Sequence, residues 1–289
     1  MKRLVLATTL IVMLTFTAFA SFAEPSPTEK GERDVPQRIV SLGPSITEAL
    51  FLLGVESRVV GVTTYCRKPS RAKEKEKVGT VMEINAERII RMKPDLVLAT
   101  SLTSMKDMAK LEDLGIRVAA FDISKDLNHL SEVFLSIGRL VGKEAKARSL
   151  LEGTRKRLTD TRKAVAGLKK KKVFVQLGAK PLFGATKDDF INDLIEFAGG
   201  TNIFKDLGSG LISREAVVRR NPDVIIIATM GITGEKERTM WQRYKTINAV
   251  RHGRIYLVDS DMICSLTPVS FVEALGEFAN ILHGKTKKG

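Results

Sequence analysis

The stretch Ile84-Asn-Ala-Glu-Arg-Ile-Ile-Arg-Met-Lys-Pro-Asp-Leu-Val-Leu98 returns 128 residues later, without a gap, as Ile212-Ser-Arg-Glu-Ala-Val-Val-Arg-Arg-Asn-Pro-Asp-Val-Ile-Ile226. Ile, Glu, Arg, Pro and Asp stand in register, five identities in fifteen positions. Each copy reads alike: an N-cap at Asn85 or Ser213, a short helix that must stop before Pro94 or Pro222, then a buried strand. A chain that carries this unit twice is expected to fold as two related α/β lobes with mainly parallel sheets.

The flanking sequence fits that plan. Arg38 to Leu42 has the β-branched, apolar character of a buried strand, and Gly43-Pro44 breaks it. Ser45 with Glu48 reads as a capping box, Ile46, Ala49, Leu50 and Leu53 recur at helical spacing, and Gly54 can close the helix before a strand at Val59 to Val62. The second lobe opens with a strand at Val173 to Leu177. It continues with a helix from about Asp188 to Ala198 closed by Gly199-Gly200, and its last strand is Arg254 to Val258. Pro268 to His283 places Phe271, Ala274, Leu275, Phe278 and Leu282 on one helical face. Between the lobes, Lys143 to Leu168 lacks Pro and is rich in good helix formers, so one stiff helix of ~39 Å is expected to join them. Lys169 to Lys172 reads as the exposed end of that helix. The expected divisions are a first lobe at 38–142, a connecting helix at 143–170 and a second lobe at 171–289.

With 289 residues, 44% of them hydrophobic and 28% charged, the chain has enough apolar mass for a core and is not a disordered polymer. A formal charge of +14 on its own suggests nucleic acid, membrane head groups or an acidic ligand. The N-terminus decides part of that choice. Met1-Lys2-Arg3 is followed by an almost uncharged apolar run from Leu4 to Phe22 and by small residues at Ser21-Phe22-Ala23, the pattern of a cleaved export signal spanning 1–23. The alternative is a retained anchor, since the run approaches the ~20 residues that span a bilayer. No Cys follows the run, so no lipid anchor is expected, and 24–37 reads as a polar, Pro-rich, disordered lead-in. An exported protein meets no genome, so nucleic acid drops out as a partner.

Several motifs in fixed order carry a family resemblance. Arg38-Ile-Val-Ser-Leu-Gly-Pro-Ser-Ile-Thr-Glu48, Val60-Gly-Val-Thr-Thr-Tyr-Cys66, Asn85-Ala-Glu-Arg-Ile, Lys93-Pro-Asp-Leu-Val, Val173-Phe-Val-Gln-Leu-Gly, Gly199-Gly-Thr-Asn-Ile-Phe-Lys-Asp206 and Ile212-Ser-Arg-Glu215 resemble the periplasmic iron-siderophore/cobalamin receptor family, nearest its cobalamin-binding members. The similarity runs from about Arg38 to His283. It implies the class III periplasmic binding protein architecture, with two α/β lobes joined by one long backbone helix. It also implies a monomer in the periplasm that holds a metal chelate or corrinoid, such as cobalamin or a ferric siderophore, in the inter-lobe cleft. Delivery would be to the permease dimer of an ABC importer, with no bond chemistry and no resident cofactor.

The cleft is expected beyond the carboxyl ends of the strands, lined by Ser41, Pro44, Ser45, Tyr65, Cys66, Val81, Met82, Phe183, Met230, Gly231, Trp241, Asp261 and Cys264. Tyr65 matches a ligand-contacting tyrosine of the cobalamin receptors. Glu87 and Glu215, at the second helical position of each repeat, match the family's pair of glutamates that dock on permease arginines. The plainer alternative is a carboxylate offsetting the positive helix end, worth ~0.3–1 kcal/mol. Cys66 and Cys264 are the only cysteines. A cross-cleft disulfide, two thiols contacting a ligand or metal, and unrelated buried thiols are all open readings. A thiol enzyme using Cys66 lacks a nearby His or a CxxC motif.

The departures also matter. Thr80-Val81-Met82 and Gly208-Ser209-Gly210 stand where the cobalamin receptors carry stacking tryptophans, and no tyrosine occupies the position near Thr80 that ligates haem iron in haem receptors. His129, His252 and His283 are scattered without acidic partners at ligand spacing, so no bare-metal site is expected. Arg67, Lys68, Arg71 and Lys73 make the first cleft loop basic, which would suit an anionic chelate.

Overall fold

A computed structural model of the chain describes residues 35–228 and 234–284. The expected export signal, the lead-in up to residue 34, and the cleft candidates Met230 and Gly231 lie outside them. Two five-stranded sheets organise the described residues. In the first lobe, β1 (Ile39–Ser41), β2 (Val59–Val62), β3 (Glu76–Lys77), β4 (Leu96–Thr100) and β5 (Arg117–Phe121) lie in the order β3-β2-β1-β4-β5, every pairing parallel. In the second, β6 (Lys171–Ala179), β7 (Leu182–Gly184), β9 (Val224–Ile227) and β10 (Ile255–Leu257) run in the order β10-β9-β6-β7, with β8 (Gly200–Asn202) also on β6. Only the β6-β7 hairpin is antiparallel.

The first lobe's helices are α1 (Pro44–Leu52), α2 (Ala86–Arg91), α3 (Met105–Asp113) and α4 (Leu127–Leu140), followed by the long α5 (Glu144–Val165). The second lobe adds α6 (Phe190–Phe197), α7 (Arg214–Arg220), α8 (Gly234–Trp241), α9 (Asn248–Arg251) and α10 (Pro268–His283). Strand alternation feeds both faces of each sheet, as a helix-covered parallel sheet requires. Ile39, Leu96 and Leu98 join the core under α1 and α4, whereas Val40, Val97 and Ala99 join the one under α2 and α3. Likewise Val173, Val175, Val224 and Ile226 face α6 and α10, while Phe174, Ile225 and Ile227 pack on Trp241 and Ile247.

The duplicated sequence is duplicated in backbone geometry. Asn85 Oδ1 accepts the Arg88 N–H at 2.9 Å and Ser213 Oγ the Ala216 N–H at 3.2 Å, the expected N-caps. The residue before each proline is left-handed, Lys93 at φ 49° and Asn221 at φ 48°. A following proline disfavours the right-handed helical region, so the chain leaves the helix by this turn in both copies. The aspartate after each proline then ties the strand to its central neighbour. Asp95 accepts the Arg38 N–H at 3.0 Å while its own N–H reaches Arg38 O at 3.0 Å. Asp223 accepts the Lys172 N–H at 2.9 Å, and its N–H reaches Lys172 O at 2.8 Å.

Two local expectations need correction. The helix α1 starts at Pro44, with Gly43 as an N-cap that makes no side-chain cap bond, so Ser45 and Glu48 form no capping box. Proline is favoured at that first position because it has no N–H to leave unpaired. The connecting helix ends at Val165, and Gly167 (φ 82°) turns the chain so that Lys171 and Lys172 begin β6 instead of ending a helix. No described helix is long and apolar enough to cross a membrane.

Candidate functional site

Parallel strands deliver their carboxyl ends to one edge, and there the loops after β2, β4, β5 and β10 gather around a cavity of about 760 Å³. The first lobe contributes Pro44, Ser45, Tyr65, Arg67, Thr80, Val81, Met82, Glu83, Thr100, Leu102 and Phe121 to Ser124. The second contributes Phe190, Ser260, Asp261 and Cys264 to Pro268, and α4 supplies Leu130, Val133, Phe134 and Ile137.

The loop that presents Val81 and Met82 is built by Gly79, whose φ is 115° and whose hypothetical Cβ would lie 2.4 Å from Glu83 O. Only glycine fits that approach. The loop closes through Thr80 N–H to Glu83 O at 2.8 Å, and Thr103 Oγ1 donates to Val81 O at 3.1 Å. Met82 is left 65% exposed and Tyr65 53%, two largely apolar surfaces open to solvent at the cavity.

Two contacts cross the cavity rim. Arg67 Nη2 sits 2.6 Å from Asp261 Oδ1, and Lys68 Nζ donates to Asp261 O at 3.1 Å. Asp261 is itself held in a short turn by its N–H to Asp259 Oδ1 at 2.8 Å. Arg71 turns to Glu56 at 3.3 Å. Arg67, Lys68 and Arg71, three of the four basic residues read in the first cleft loop, thus each have an oxygen partner within the protein. At the seam, Ser270 Oγ donates to Glu48 Oε2 at 2.9 Å, and Leu127 N–H donates to Asp193 Oδ2 at 2.9 Å. Burial pushes both carboxyl groups above their ordinary values.

Of the thirteen cleft candidates, Pro44, Ser45, Tyr65, Val81, Met82, Asp261 and Cys264 meet around this cavity. Ser41 and Cys66 lie fully buried, outside its lining. Ser41 Oγ and Thr47 Oγ1 are 2.7 Å apart, Thr47 donates to Cys66 Sγ at 3.0 Å, and Thr63 Oγ1 lies 3.1 Å from the same sulfur. Trp241 is also fully buried, edge-on to Phe174 at 5.7 Å, with its indole N–H on Gln176 Oε1 at 2.7 Å. It is core because it ends α8 packed among Phe174 of β6, Ile225 and Ile227 of β9, and Ile247. Phe183 is 41% exposed on β7 and faces the Gly210 turn, outside the cavity lining. Both cysteines are free thiols in this structure, Cys66 buried and Cys264 partly so. Burial, then Asp261 and Asp259, push the Cys264 thiol up to about 11, so it stays protonated at neutral pH and is a poor nucleophile. Glu87 and Glu215 are exposed in the first turns of α2 and α7.

Thr100, Leu102 and Phe121 to Ser124 were not among the candidates. The signal for them was available, since they follow β4 and β5 at the carboxyl edge. The α4 wall carried no such signal, because its side chains read only as core.

Comparison with known proteins fits this geometry. The periplasmic binding protein family matches residues 39–262. An uncharacterised ABC transporter substrate-binding lipoprotein of Bacillus subtilis, YvrC, is 36% identical over 266 residues, 88% of this chain and 82% of that one. A vitamin B12-binding protein of Yersinia pestis is 30% identical over 198 residues, 66% of this chain and 69% of that one. Among solved structures, a periplasmic haem binding protein of Pseudomonas aeruginosa superposes with a TM-score of 0.80 at 24% identity, covering 88% of this chain and 95% of that one, a likeness of fold. The chain thus belongs to the periplasmic binding protein family, as a non-enzymatic ABC transporter substrate-binding protein.

Proposed function

We propose that this protein captures a metal chelate or corrinoid in the cavity between its lobes, in the periplasm, and delivers it to the permease dimer of an ABC importer. In this reading residues 1–23 are removed on export, 24–37 form a lead-in, lobes 38–142 and 171–289 grip the cargo, and 143–170 connects them in a working monomer. The single observation that carries the proposal is a cavity of about 760 Å³ with largely apolar walls, lined by residues of both lobes. That volume lies within the ~300–1,000 Å³ range of sites that bury most of a sizeable organic ligand. The B12-binding relative at 30% identity supports the corrinoid half of the proposal.

Closure is expected to be modest, because a rigid helix constrains the lobes more than flexible strands would. Glu87 and Glu215 act in encounter and register with the permease more than in raw affinity. The test of the cargo is mass spectrometry of small molecules that co-purify with protein from its native cells, followed by calorimetry. One chelate or corrinoid per chain is expected, and Tyr65→Ala should weaken its binding by about 1 kcal/mol or more. Protein that co-purifies with no chelate and binds none in solution overturns the proposal. For docking, the Glu87→Arg, Glu215→Arg double variant should keep cargo affinity and lose importer affinity and transport. Unchanged transport removes those two residues from the docking role.

A further inference from the structure

The charge inside the cavity selects the charge of the cargo. Apart from Tyr65 and the Cys264 thiol, the ionisable side chains among the described lining residues are Arg67, Glu83, Asp122 and Asp261, one cation against three acids. The span 229–233, Thr-Met-Gly-Ile-Thr, contains no ionisable side chain and adds no charge wherever it lies. The one lining cation is already occupied, with Arg67 Nη2 at 2.6 Å from Asp261 Oδ1. Lys68, just outside the lining, donates to the main-chain oxygen of the same Asp261 at 3.1 Å. Counting Lys68, the rim is still negative by one unit.

Walls of low dielectric such as Phe121, Val133 and Phe134 strengthen the field of these few charges inside the cavity. A cargo bearing carboxylates or catecholates would have to displace Asp261 from Arg67 while lying near Asp122 and Glu83. An uncharged or cationic cargo leaves the Arg67–Asp261 pair intact. We infer that Asp261, seated on Arg67 and Lys68, is the specificity-determining residue of this cavity, admitting uncharged or cationic chelates and turning away polyanionic ones. The inference rests on the reading of the cavity as the cargo site.

The test is calorimetry at one fixed ionic strength with four probes: cyanocobalamin (uncharged), diaquacobinamide (cationic), haemin (two carboxylates) and a ferric tris-catecholate (trianionic). The native chain should prefer the better of the first two over the better of the last two by about tenfold or more. Asp261→Asn removes the carboxylate charge that holds Arg67, leaves Lys68 on the main-chain oxygen, and should shift that ratio towards the anionic probes by about tenfold, while Asp261→Glu restores the native preference. Asp122→Asn, on an exposed loop, should shift the ratio the same way by a smaller factor and serves if the Asp261 variant folds poorly. Added salt should shrink the native preference, because partly exposed charges are screened. A native preference for an anionic probe, or a ratio that neither variant moves, overturns the inference and leaves the chelate receptor standing. Failure of native and variant proteins to bind any of the four overturns the chelate reading, and this inference with it.

Discussion

The two copies of the repeated unit share a backbone and differ in what they bury. In both, a left-handed residue, a proline and an aspartate link helix to strand, and the aspartate grips the start of a neighbouring strand at Arg38 or Lys172. The first helical residue marks the divergence. In the first copy it is Ala86, 8% exposed, packed in the core with Val97 and Ala99. In the second it is Arg214, whose guanidinium lies 2.6 Å from the buried Glu237 and 4.7 Å over the Trp241 ring. Gln176 completes that network by donating to Glu237 at 2.7 Å and accepting from Trp241 at 2.7 Å. The first lobe has its own buried polar chain, but of neutral hydroxyls and a thiol, through Ser41, Thr47, Cys66 and Thr63. The cap, proline and aspartate positions fix the common frame, because their side chains bond backbone N–H groups or stop the helix in the same way in both copies. The side chains are free to brace the second lobe through Arg214 in one copy and to fill an apolar core through Ala86 in the other.

The sharpest way to break this comparison is Arg214→Ala. It strands a buried carboxylate, and a loss of about 3–5 kcal/mol in urea unfolding is expected. The joint replacement Arg214→Met, Glu237→Gln should recover much of that loss, since it removes the charge along with its partner. Full stability in Arg214→Ala alone would mean that the network contributes nothing to the second lobe.

Next in size are Asp95→Ala and Asp223→Ala. Each removes the acceptor for a strand-initiating N–H, and each should cost about 1–2 kcal/mol. The two values should agree within about 1 kcal/mol. A marked inequality would show that the copies share a fold without sharing its energetics.

A pH titration compares the two seam carboxylates, Glu48 on α1 and Asp193 on α6, which each lobe extends towards the other. Burial raises both folded values above the ordinary 4.5 of Glu48 and 3.8 of Asp193. The folded state thus holds its protons more tightly than the unfolded state, so these groups favour folding most at low pH. Their contribution falls as pH rises from the ordinary values through the raised ones. In Glu48→Gln and Asp193→Asn the corresponding decline should flatten, measured as unfolding free energy from pH 4 upward on the scale of about one site each. An unchanged slope would separate the seam from the titration. The smallest expected effect is at Glu87→Gln and Glu215→Gln, about 0.3–1 kcal/mol each from the lost helix-end interaction. A larger change would assign these residues a structural role beyond the helix end.

Much of this molecule was legible before any coordinates. The repeat at 84–98 and 212–226, its N-caps, its proline stops and the apolar runs after them announced two α/β lobes, because these signals are local and need only backbone chemistry. The same topology put Tyr65, Val81, Met82, Asp261 and Cys264 at the carboxyl edge of the strands. What only the tertiary structure decided was the direction of individual side chains. Trp241 and Cys66 turned inward, where Gln176 and the Thr47 and Thr63 hydroxyls await them. Glu48 left its expected helix cap for Ser270, 222 residues away, and Arg67 found Asp261 across the cavity. Periodicity states which face of an element is apolar. Pairings between distant residues depend on how the lobes pack, and no local pattern encodes them.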